Sequence, residues 1–567
     1  MQQAARERLI QCSAGDAQHI AKLFEHTDLR DKQELSKVLS LAEPFTQPSA
    51  ADEDKEIIRF SLRRKIHWHR NYDETQGEAL DELLSTVESL YERLAPADLI
   101  IRHRWLFSNH WTDLPIRTRD EDINARGGQQ EAARNSALIE VFQAHGMESV
   151  ERMIRECGNA HVVGAALAAT ECGNDKWAEW IAEKGDEFTS GAPMTFCIFG
   201  LLCWMPETHS TPLIREVLAQ ADIQNWDAEK RARFLVLARF ERASWEQAAA
   251  CGADTEQAYW ALINPGHLGR ENADMDFVLR KLLDAKRPRT ALRCCQYDLK
   301  PVDAQLLFEM LQRFMSGEEP QGSLLESWHL GKMLERLEQS GEIERFSLIQ
   351  LEFGLFPALK YGQEASAALL YDSIMSEPAL FAELISILYK PAHGEREEPI
   401  TDALREAAGT AWSILHGCTR QPGTRADGTV DHTAFKQFIQ EARELCRQAD
   451  RRDMCDQTLG QILAYAPSDE DGLWPFAPAR EILEAHEMEE MRQGLIIGTH
   501  NKRGVTCRSP WDGGEQERDL AAHYRSHAEK LYVAQPNVAN LLDKIARSYE
   551  HDGKREDIEA NLRKEGY

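Results

Sequence analysis

The amino-acid sequence predicts an all-α fold made of successive helical hairpins. Apolar residues recur at helical spacing along most of the chain, whereas the alternating pattern of half-buried strands is nearly absent. The segment closest to a strand is "GLIIGTH" (494–500), and it fits a helix end equally well. Short polar stretches that contain Pro or Gly separate the helical patterns, and such stretches are typical of ordered connections.

Composition excludes several classes of protein. The 94 acidic residues outnumber the 66 basic residues and give a formal net charge of −28, which repels the phosphate backbone of nucleic acids. No apolar stretch approaches the length of about 18 residues that a membrane span needs, and the first residues lack the apolar core of a secretory signal. The twelve cysteines show no CxxC spacing and mostly fall in helical patterns, which is typical of reduced thiols in a cytoplasmic protein.

Polar breaks divide the chain into four predicted regions. We expect an N-terminal helical segment (1–47), a first helical-repeat region (48–220), a second repeat region (221–420) and a C-terminal helical region (421–567). At 567 residues the chain is too long for one ordinary compact domain, and an elongated repeat array is one way to use this length. The last region includes a loop at 498–514 that we expect to dock against the helices before it.

The segment "RFSLRRKIHWHR" (59–70) is the strongest local exception to the acidic composition. A basic segment with an aromatic residue is able to contact phosphates or to stack on a base. The acidic neighbour "ADEDKE" (51–56) supplies internal partners, so a salt-bridged helix with a structural or interface role is the favoured interpretation. The candidate contacts to a protein partner or a nucleic acid are Arg59, Arg63, Arg64, Lys65, His67, Trp68, His69 and Arg70.

Two apolar stretches predict buried structure. Aromatic residues cluster in "IIRHRWLFSNHWTDLP" (100–115), where such density fills a core or anchors a protein interface. The longest apolar run, "FCIFGLLCWM" (196–205), predicts a buried helix because it offers no polar face.

Helical hairpins are predicted further along the chain. In 226–264 and in 274–315, one amphipathic helix is followed by a tight turn and a second helix. The segment "SEPALFAELISILYKP" (376–391) predicts another helix, which begins near Pro378 and stops before Pro391. Because no fixed period relates these units, they predict a degenerate α-solenoid of tetratricopeptide (TPR) or HEAT type.

No cofactor, metal or catalytic site is predicted. Neither GK pair has the Gly and the Ser or Thr that a phosphate-binding loop places around it. The segment "GTRADGTVDHTAFKQFI" (423–439) lacks the carboxylates of a calcium loop, so a turn into a helix at 432–447 is favoured. "HEMEE" (486–490) lacks the second His of a zinc protease, and "SILHGC" (413–418) has no accompanying signature of a cysteine nucleophile.

The C-terminal region predicts a shaped loop followed by three helices. Cys507 has no general base fixed beside it, so the loop is interpreted as a connection and not as a reaction centre. A helix follows Gly513 and Gly514, a second helix begins at Pro536, and Gly553 ends it as a left-handed cap before a short charged helix at 554–565. The candidate docking residues of the loop are Arg503, Arg508 and Trp511.

Several packing and turn segments together carry a family resemblance. They are "RFSLRRKIHWHRNY", "ADLIIRHRWLFSNHW", "AALLYDSIMSEPALFAELISILYKP", "GTRADGTVDHTAF" and "HNKRGVTCRSPWDGGEQERDLAAHYRSHAEKL". They resemble the carboxy-terminal helical region of large bacterial STAND-type NTPases of antiphage defence. In that family the helical region acts as a sensor or scaffold beside an NTPase domain and an effector domain. This chain carries neither domain, so it is expected to be a fragment, a split subunit or a stand-alone relative, and ATP-driven switching is not carried over.

Two functions follow as expectations. The first is a non-enzymatic α-solenoid scaffold or sensor that binds a protein partner, which the resemblance implies is an NTPase or an effector subunit. The acidic composition favours a partner with a basic surface. The alternative is a nucleic-acid-sensing subunit that uses the basic segment 59–70.

Overall fold

All regular structure in the described part of the protein is helical. The computed structural model of the chain describes residues 12–73, 78–118, 121–266, 274–319, 325–359, 367–393, 401–425, 427–504, 507, 509 and 511–564. Over these residues no β-strand forms, and one antiparallel bridge joins Thr424 to Val430. The predicted all-α fold is therefore confirmed for this part of the chain. None of the helices in these ranges is both long enough and apolar enough to cross a membrane.

The chain divides into two compact units, Met1–Pro265 and Gly266–Tyr567. The helices of the first unit are α1 (Ala17–His26), α2 (Lys32–Ala42), α3 (Asp52–Asn71), α4 (Glu78–Arg93), α5 (Leu99–His103), α6 (Ile123–His145), α7 (Met147–Glu156), α8 (Ala160–Thr170), α9 (Trp177–Glu183), α10 (Pro193–Trp204), α11 (Glu207–Ile223), α12 (Ala228–Leu235), α13 (Arg242–Ala250) and α14 (Ala253–Leu262). The boundary expected at residue 220 falls inside α11.

The second unit contributes a further series of helices. They are α15 (Met275–Asp284), α16 (Pro288–Cys295), α17 (Ala304–Met315), α18 (Ser327–Ser340), α19 (Arg345–Leu359), α20 (Ala368–Ser376), α21 (Pro378–Leu388), α22 (Asp402–Gly417), α23 (His432–Gln448), α24 (Arg452–Leu463), α25 (Ala477–Glu484), α26 (Glu489–Arg503), α27 (Glu515–Leu531) and α28 (Pro536–Lys564). The helices predicted within 376–391 and at 432–447 are present as α21 and α23.

Within each unit, helices pack mainly against near neighbours in the sequence. In the first unit α8 packs against α6 and α10, and α12 packs against α14. In the second unit α24 packs against α26, and α27 packs along α28. The main helix–helix contacts join helices that lie no more than three positions apart along the chain. The packing is therefore local in sequence throughout the described residues.

Aspartate side chains begin several of these helices. The Asp227 carboxylate accepts the backbone N–H of Lys230 at 2.7 Å and caps α12. Asp431 accepts the N–H groups of Thr433 and Ala434 at 2.9 and 3.0 Å and caps α23. The segment before α23 is thus a turn that ends in an N-cap, as the sequence predicts.

The two predicted hairpins at 226–264 and 274–315 each contain three helices, so the prediction of two helices was wrong in both. In the first, the chain leaves α12 and Arg239 donates a hydrogen bond to the carbonyl oxygen of Cys203 at 2.7 Å before α13 begins. In the second, Pro288 starts α16, because its fixed φ suits the first position of a helix. The additional helix boundaries therefore lie near Arg239 in the first segment and at Pro288 in the second.

The prediction that Gly553 ends a helix is also wrong. Gly553 lies inside α28, which continues through the segment expected to form a separate helix at 554–565. The backbone of Gly514 packs against this position so closely that a Cβ on Gly514 would lie 2.2 Å from the Gly553 carbonyl oxygen. Gly553 therefore allows a close approach and does not supply a left-handed cap.

The apolar run at 196–205 forms most of α10, as the prediction of a helix requires, but only one face of that helix is buried. Helix α10 packs against α8 at backbone distance, because a Cβ on Gly164 would lie 1.9 Å from the Cys197 carbonyl oxygen. The opposite face is open to solvent. Its exposed side chains are Phe196 (49% exposed), Phe199 (40%) and Trp204 (53%).

Candidate functional site

Helix α3 contains the whole of the basic segment 59–70. Its first turn is acidic and its last turn is basic, which matches the helix dipole at both ends. One face packs into the apolar core between α1 and α4. The residues that form this buried stripe are Ile58, Leu62 and Ile66. Burial of this face fixes which of the basic side chains point inward.

Arg59 and Arg63 are buried and bind groups inside the protein. Arg63 donates to Glu56 at 2.8 Å, and its guanidinium lies 3.8 Å from the centre of the Trp105 ring. Arg59 donates to the Tyr91 carbonyl oxygen at 3.1 Å and lies 4.2 Å from the centre of the Tyr91 ring. Burial raises the pKa of Glu56, and the charge of Arg63 opposes that rise. These two arginines therefore serve the fold.

Lys65 and His67 are also held by internal hydrogen bonds. The Lys65 ammonium donates to the Thr27 carbonyl oxygen at 2.6 Å, and burial lowers the pKa of Lys65. His67 Nδ1 lies 2.7 Å from the Leu114 carbonyl oxygen. A carbonyl oxygen only accepts, so Nδ1 carries the proton in this contact. Both side chains tie α3 to neighbouring loops.

The end of α3 is fixed by two ionic groups. His69 Nδ1 lies 2.8 Å from an Asp73 carboxylate oxygen, and Arg30 donates to both oxygens of the same carboxylate at 2.9 and 2.7 Å. Burial lowers the pKa of His69, and the hydrogen bond to Asp73 opposes this effect. Arg70 makes a bidentate contact to Glu88 at 2.9 and 3.0 Å. The basic side chains at this end of α3 therefore have acidic partners inside the first unit.

The solvent-facing side of α3 carries a regular line of large side chains. Phe60, Arg64 and Trp68 follow at intervals of four residues on one face of α3, and Tyr72 continues this spacing directly after the helix. Phe60 and Trp68 are each 51% exposed and Tyr72 is 60% exposed. Arg64 contacts Glu25 at 3.4 Å, but both side chains remain open to solvent. We refer to these four residues as the α3 stripe.

Two adjoining clefts, each of about 650 Å³, run beside the α3 stripe. The first reaches from Phe60 to the aromatic residues of the 100–115 segment, and the second reaches from Trp68 and Tyr72 to the loop after α1. The residues shared by both clefts are Glu25, Ser61, Arg64 and Asp113. The stripe therefore borders a continuous concave surface.

The structure separates the predicted contact residues into two groups. Arg64 and Trp68 remain on the surface, whereas the other six make the internal contacts described above. The sequence interpretation missed Phe60 and Tyr72 as candidate contacts. Trp111 is 49% exposed and lines the first cleft, and it belongs to the segment 100–115 that was expected to fill a core or anchor an interface. The signal for Phe60 and Tyr72 was present as the four-residue spacing of large side chains opposite the buried stripe.

The predicted docking loop at 498–514 begins inside α26, because this helix continues to Arg503. Arg503 forms an ion pair with the buried carboxylate of Glu517, and its guanidinium lies 5.6 Å from the centre of the Tyr549 ring. Trp511 is 55% exposed, and Arg508 lies outside the described residues. Arg503 therefore holds α26 to α27, while Trp511 faces solvent.

Among the residues that the structure describes, no group of three or more His, Cys, Asp or Glu side chains is arranged to hold a metal ion. The α3 stripe instead offers aromatic faces and one exposed cation, which suit non-covalent contact with another molecule. Comparison of the chain with protein-family models, curated proteins and solved structures finds no match.

Proposed function

We propose that the protein is a cytoplasmic, non-enzymatic scaffold or sensor that binds a protein partner through the α3 stripe. The observation that carries this proposal is the exposure of Phe60, Trp68 and Tyr72 along the α3 stripe with Arg64 between them. Large aromatic side chains and arginine dominate the binding energy of protein interfaces. Leaving three such rings in water has no benefit for the stability of the isolated chain.

The proposal includes a degenerate α-solenoid of TPR or HEAT type. Support comes from the local packing, in which the main contacts join helices that are close in sequence. Stacks of helical hairpins have this contact pattern and provide extended concave surfaces for a partner. The clefts beside the α3 stripe are a concave surface of this kind.

The proposed partner presents a basic surface next to an apolar segment. Two carboxylates border the α3 stripe, Glu53 in an ion pair with Arg104 and Asp113 at 3.4 Å from His67, and their side chains remain 56% and 64% exposed. Such groups attract a basic partner and orient it on approach. The resemblance to the helical regions of STAND-type NTPases suggests an NTPase or an effector subunit of a bacterial antiviral defence complex as this partner.

The test compares the full-length protein with a Phe60→Ser, Trp68→Ser double variant as bait in lysate of the native host. We expect at least one protein to be retained by the wild-type chain and lost by the variant. With that partner purified, calorimetry should show binding weakened about 30-fold or more, since loss of one hot-spot residue costs about 2 kcal/mol.

The matched control is Ile139→Ser, which removes an exposed apolar side chain (39% exposed) elsewhere in the first unit. This variant should retain the same proteins as the wild type. If wild type, double variant and control all retain the same set, the α3 stripe is not a binding surface and the proposal fails.

A nucleic-acid-sensing subunit is the second candidate. The specific observation in its favour is that Arg64 and Trp68 are exposed together, because a base can stack on an indole while a guanidinium contacts phosphate. This function predicts single-strand binding that weakens with salt and falls when Arg64→Glu is introduced. Fluorescence anisotropy with labelled DNA and RNA measures both effects, and unchanged anisotropy at low salt eliminates this function.

A further inference from the structure

Helices α8 and α10 form a surface without charge. Neither helix contains a Lys, Arg, Asp or Glu, although 28% of the residues in the chain are of these types. The two helices approach each other closely at Gly164 and Gly200. A Cβ atom added at either position would overlap the backbone of the opposite helix. The outward faces of the pair are therefore mainly apolar, and His161 of α8 lies beside Phe199 with the ring centres 5.5 Å apart.

This surface has a ridge and a floor. The ridge is the exposed aromatic row on α10, formed by Phe196, Phe199 and Trp204. The floor is the outward face of α8, where the side chains are Ala165, Ala168 and Ala169. A cavity of about 160 Å³ opens beside the floor, and Ala165, Ala169 and Trp204 line it together with residues of α6. Large side chains on one helix thus lie next to small side chains on the other and a recess beside them.

We propose that this surface binds a second copy of the chain, with the α10 ridge of each copy on the α8 floor of the other. A two-fold interface uses the same patch twice, so the patch must carry both the projections and the recesses that receive them. The α8–α10 pair carries both side by side. A contact with an unrelated protein requires no such pairing of ridge and floor within one surface.

The net charge of the chain also favours a second copy as the molecule that binds this surface. Each copy has a formal net charge of −28, so two copies approach each other most easily through a face that bears no charge. At the edge of the cavity lie Glu131 and Arg134, and the Arg134 guanidinium is directed inward to the carbonyl oxygens of Leu106 and Asn109 at 2.8 and 2.9 Å. Glu131 is thus an acidic group in the lining of the cavity, whereas the side chains of the ridge and the floor carry no charge.

Sedimentation equilibrium of the full chain measures the assembly directly. We expect a species with twice the mass of one chain, and an association that raised salt does not weaken. Phe199→Glu on the ridge and Ala169→Lys on the floor should each weaken the dimer at least 30-fold. The control Ile223→Glu, at a site 72% exposed outside this surface, should leave the dimer unchanged, as should Trp68→Ala in the α3 stripe.

An equimolar mixture of the Phe199→Glu and Ala169→Lys chains tests the arrangement. In the mixed dimer one ridge-and-floor contact is native and the other pairs a carboxylate with an ammonium, so the two variants should associate with each other. Circular dichroism with thermal melting checks that each variant is folded. A monomeric wild type, a dimer that neither variant affects, or a mixture that stays monomeric overturns the proposal.

Discussion

Arg63 and Arg64 are adjacent in the sequence and have different roles in the structure. Arg63 is 3% exposed and contacts Glu56 and the Trp105 ring, whereas Arg64 lies on the α3 stripe with its side chain 63% exposed. A rotation of about 100° per residue along the helix separates the two positions. The difference follows from the direction of the buried stripe of α3.

Replacing Arg63 by Ala should destabilise the protein strongly. The change removes the guanidinium that donates to the buried Glu56 carboxylate and leaves it the longer contact to Arg59 at 3.5 Å. Removal of one partner of a buried pair costs roughly 3–5 kcal/mol. Arg64→Ala is the matched control and should cost less than about 0.5 kcal/mol, because its ion pair with Glu25 is exposed. Urea unfolding followed by circular dichroism measures both, and equal losses would contradict the assigned roles.

Glu352 is a buried carboxylate that takes the place of a missing helix cap. It accepts the N–H of Leu370 at 2.7 Å, near the start of α20, where the capping residue Ala367 has no side-chain acceptor. Burial raises the pKa of Glu352 to about 7, and the backbone hydrogen bond opposes that rise. Its charged form is therefore costly at neutral pH.

The pKa of Glu352 predicts a pH-dependent stability. The folded state holds the proton more tightly than the unfolded state, whose value is 4.5, so this stabilising contribution is complete below pH 4.5 and is lost as the pH rises to about 7. Glu352→Gln keeps an acceptor for Leu370 and removes the titration. Its stability relative to wild type should rise by about 2 kcal/mol between pH 5 and pH 8. Urea midpoints that differ by the same amount at both pH values would refute this.

The sequence could identify the basic segment but could not assign its side chains. The partners of Arg59, Lys65 and His67 are Tyr91, Thr27 and Leu114, which lie 32 or more residues away along the chain. Only folding brings them together. The α3 stripe was readable in principle, because large side chains at four-residue spacing outside the buried face are visible in the sequence.

At the scale of helices, buried arginines bind the carbonyl groups that helix ends leave unsatisfied. Arg492 donates to the carbonyl oxygens of Leu483, Ala485 and His486 at 2.6, 2.8 and 3.1 Å, just after α25. The last carbonyls of a helix have no partner within the helix, so a guanidinium with several donors satisfies them together. Arg134 does the same for the loop after α5.

The prediction of helix bounds succeeded where proline residues marked both ends of a helix. The segment 376–391 has Pro near its start and Pro after its end, and α21 occupies Pro378–Leu388. Prediction was wrong at Gly553 because glycine has two uses, a left-handed cap or a close approach, and the sequence does not distinguish them. The choice depended on Gly514, which lies directly before α27 and packs against this position.

Close packing of α24 and α26 predicts opposite effects for two glycine substitutions. A Cβ on Gly494 would lie 2.1 Å from the Gln457 carbonyl oxygen, so Gly494→Ala should force the helices apart and cost about 2 kcal/mol or more. Gly409 lies in α22 with nothing within 4 Å of its Cβ position, so Gly409→Ala should stabilise by about 0.5–1 kcal/mol. Thermal melting of both variants measures this, and changes of the same sign would contradict the close contact.

At the scale of the whole molecule, the all-α class follows from composition and periodicity, whereas the division of the chain does not. The unit boundary lies between Pro265 and Gly266. Aromatic packing continues past residue 220, since the ring of Phe188 lies 6.0 Å from Trp226 and 6.1 Å from Phe234, measured between centres. Polar breaks in the sequence do not reveal such contacts between distant segments.

A fragment of residues 1–265 should therefore fold alone, because the first unit has its own core. We expect a helical circular dichroism spectrum and one cooperative thermal transition. A fragment of residues 1–220 is the control. It ends inside α11 and lacks Trp226 and Phe234, so it should expose Phe188 and bind a hydrophobic dye. If both fragments unfold in the same cooperative transition, the segment between residues 220 and 265 does not contribute to the stability of the first unit, and the prediction is wrong.

Trp111 forms part of two concavities at once, the first cleft beside the α3 stripe and the cavity that α6 and α8 line together with Trp204. A single indole adopts one rotamer at a time, so a molecule that turns this ring to enter one concavity reshapes the wall of the other. Occupation of the two is then thermodynamically linked, and each occupant alters the affinity of the other by the same factor. Dimer formation and binding of the proposed protein partner would then both depend on the conformation of Trp111.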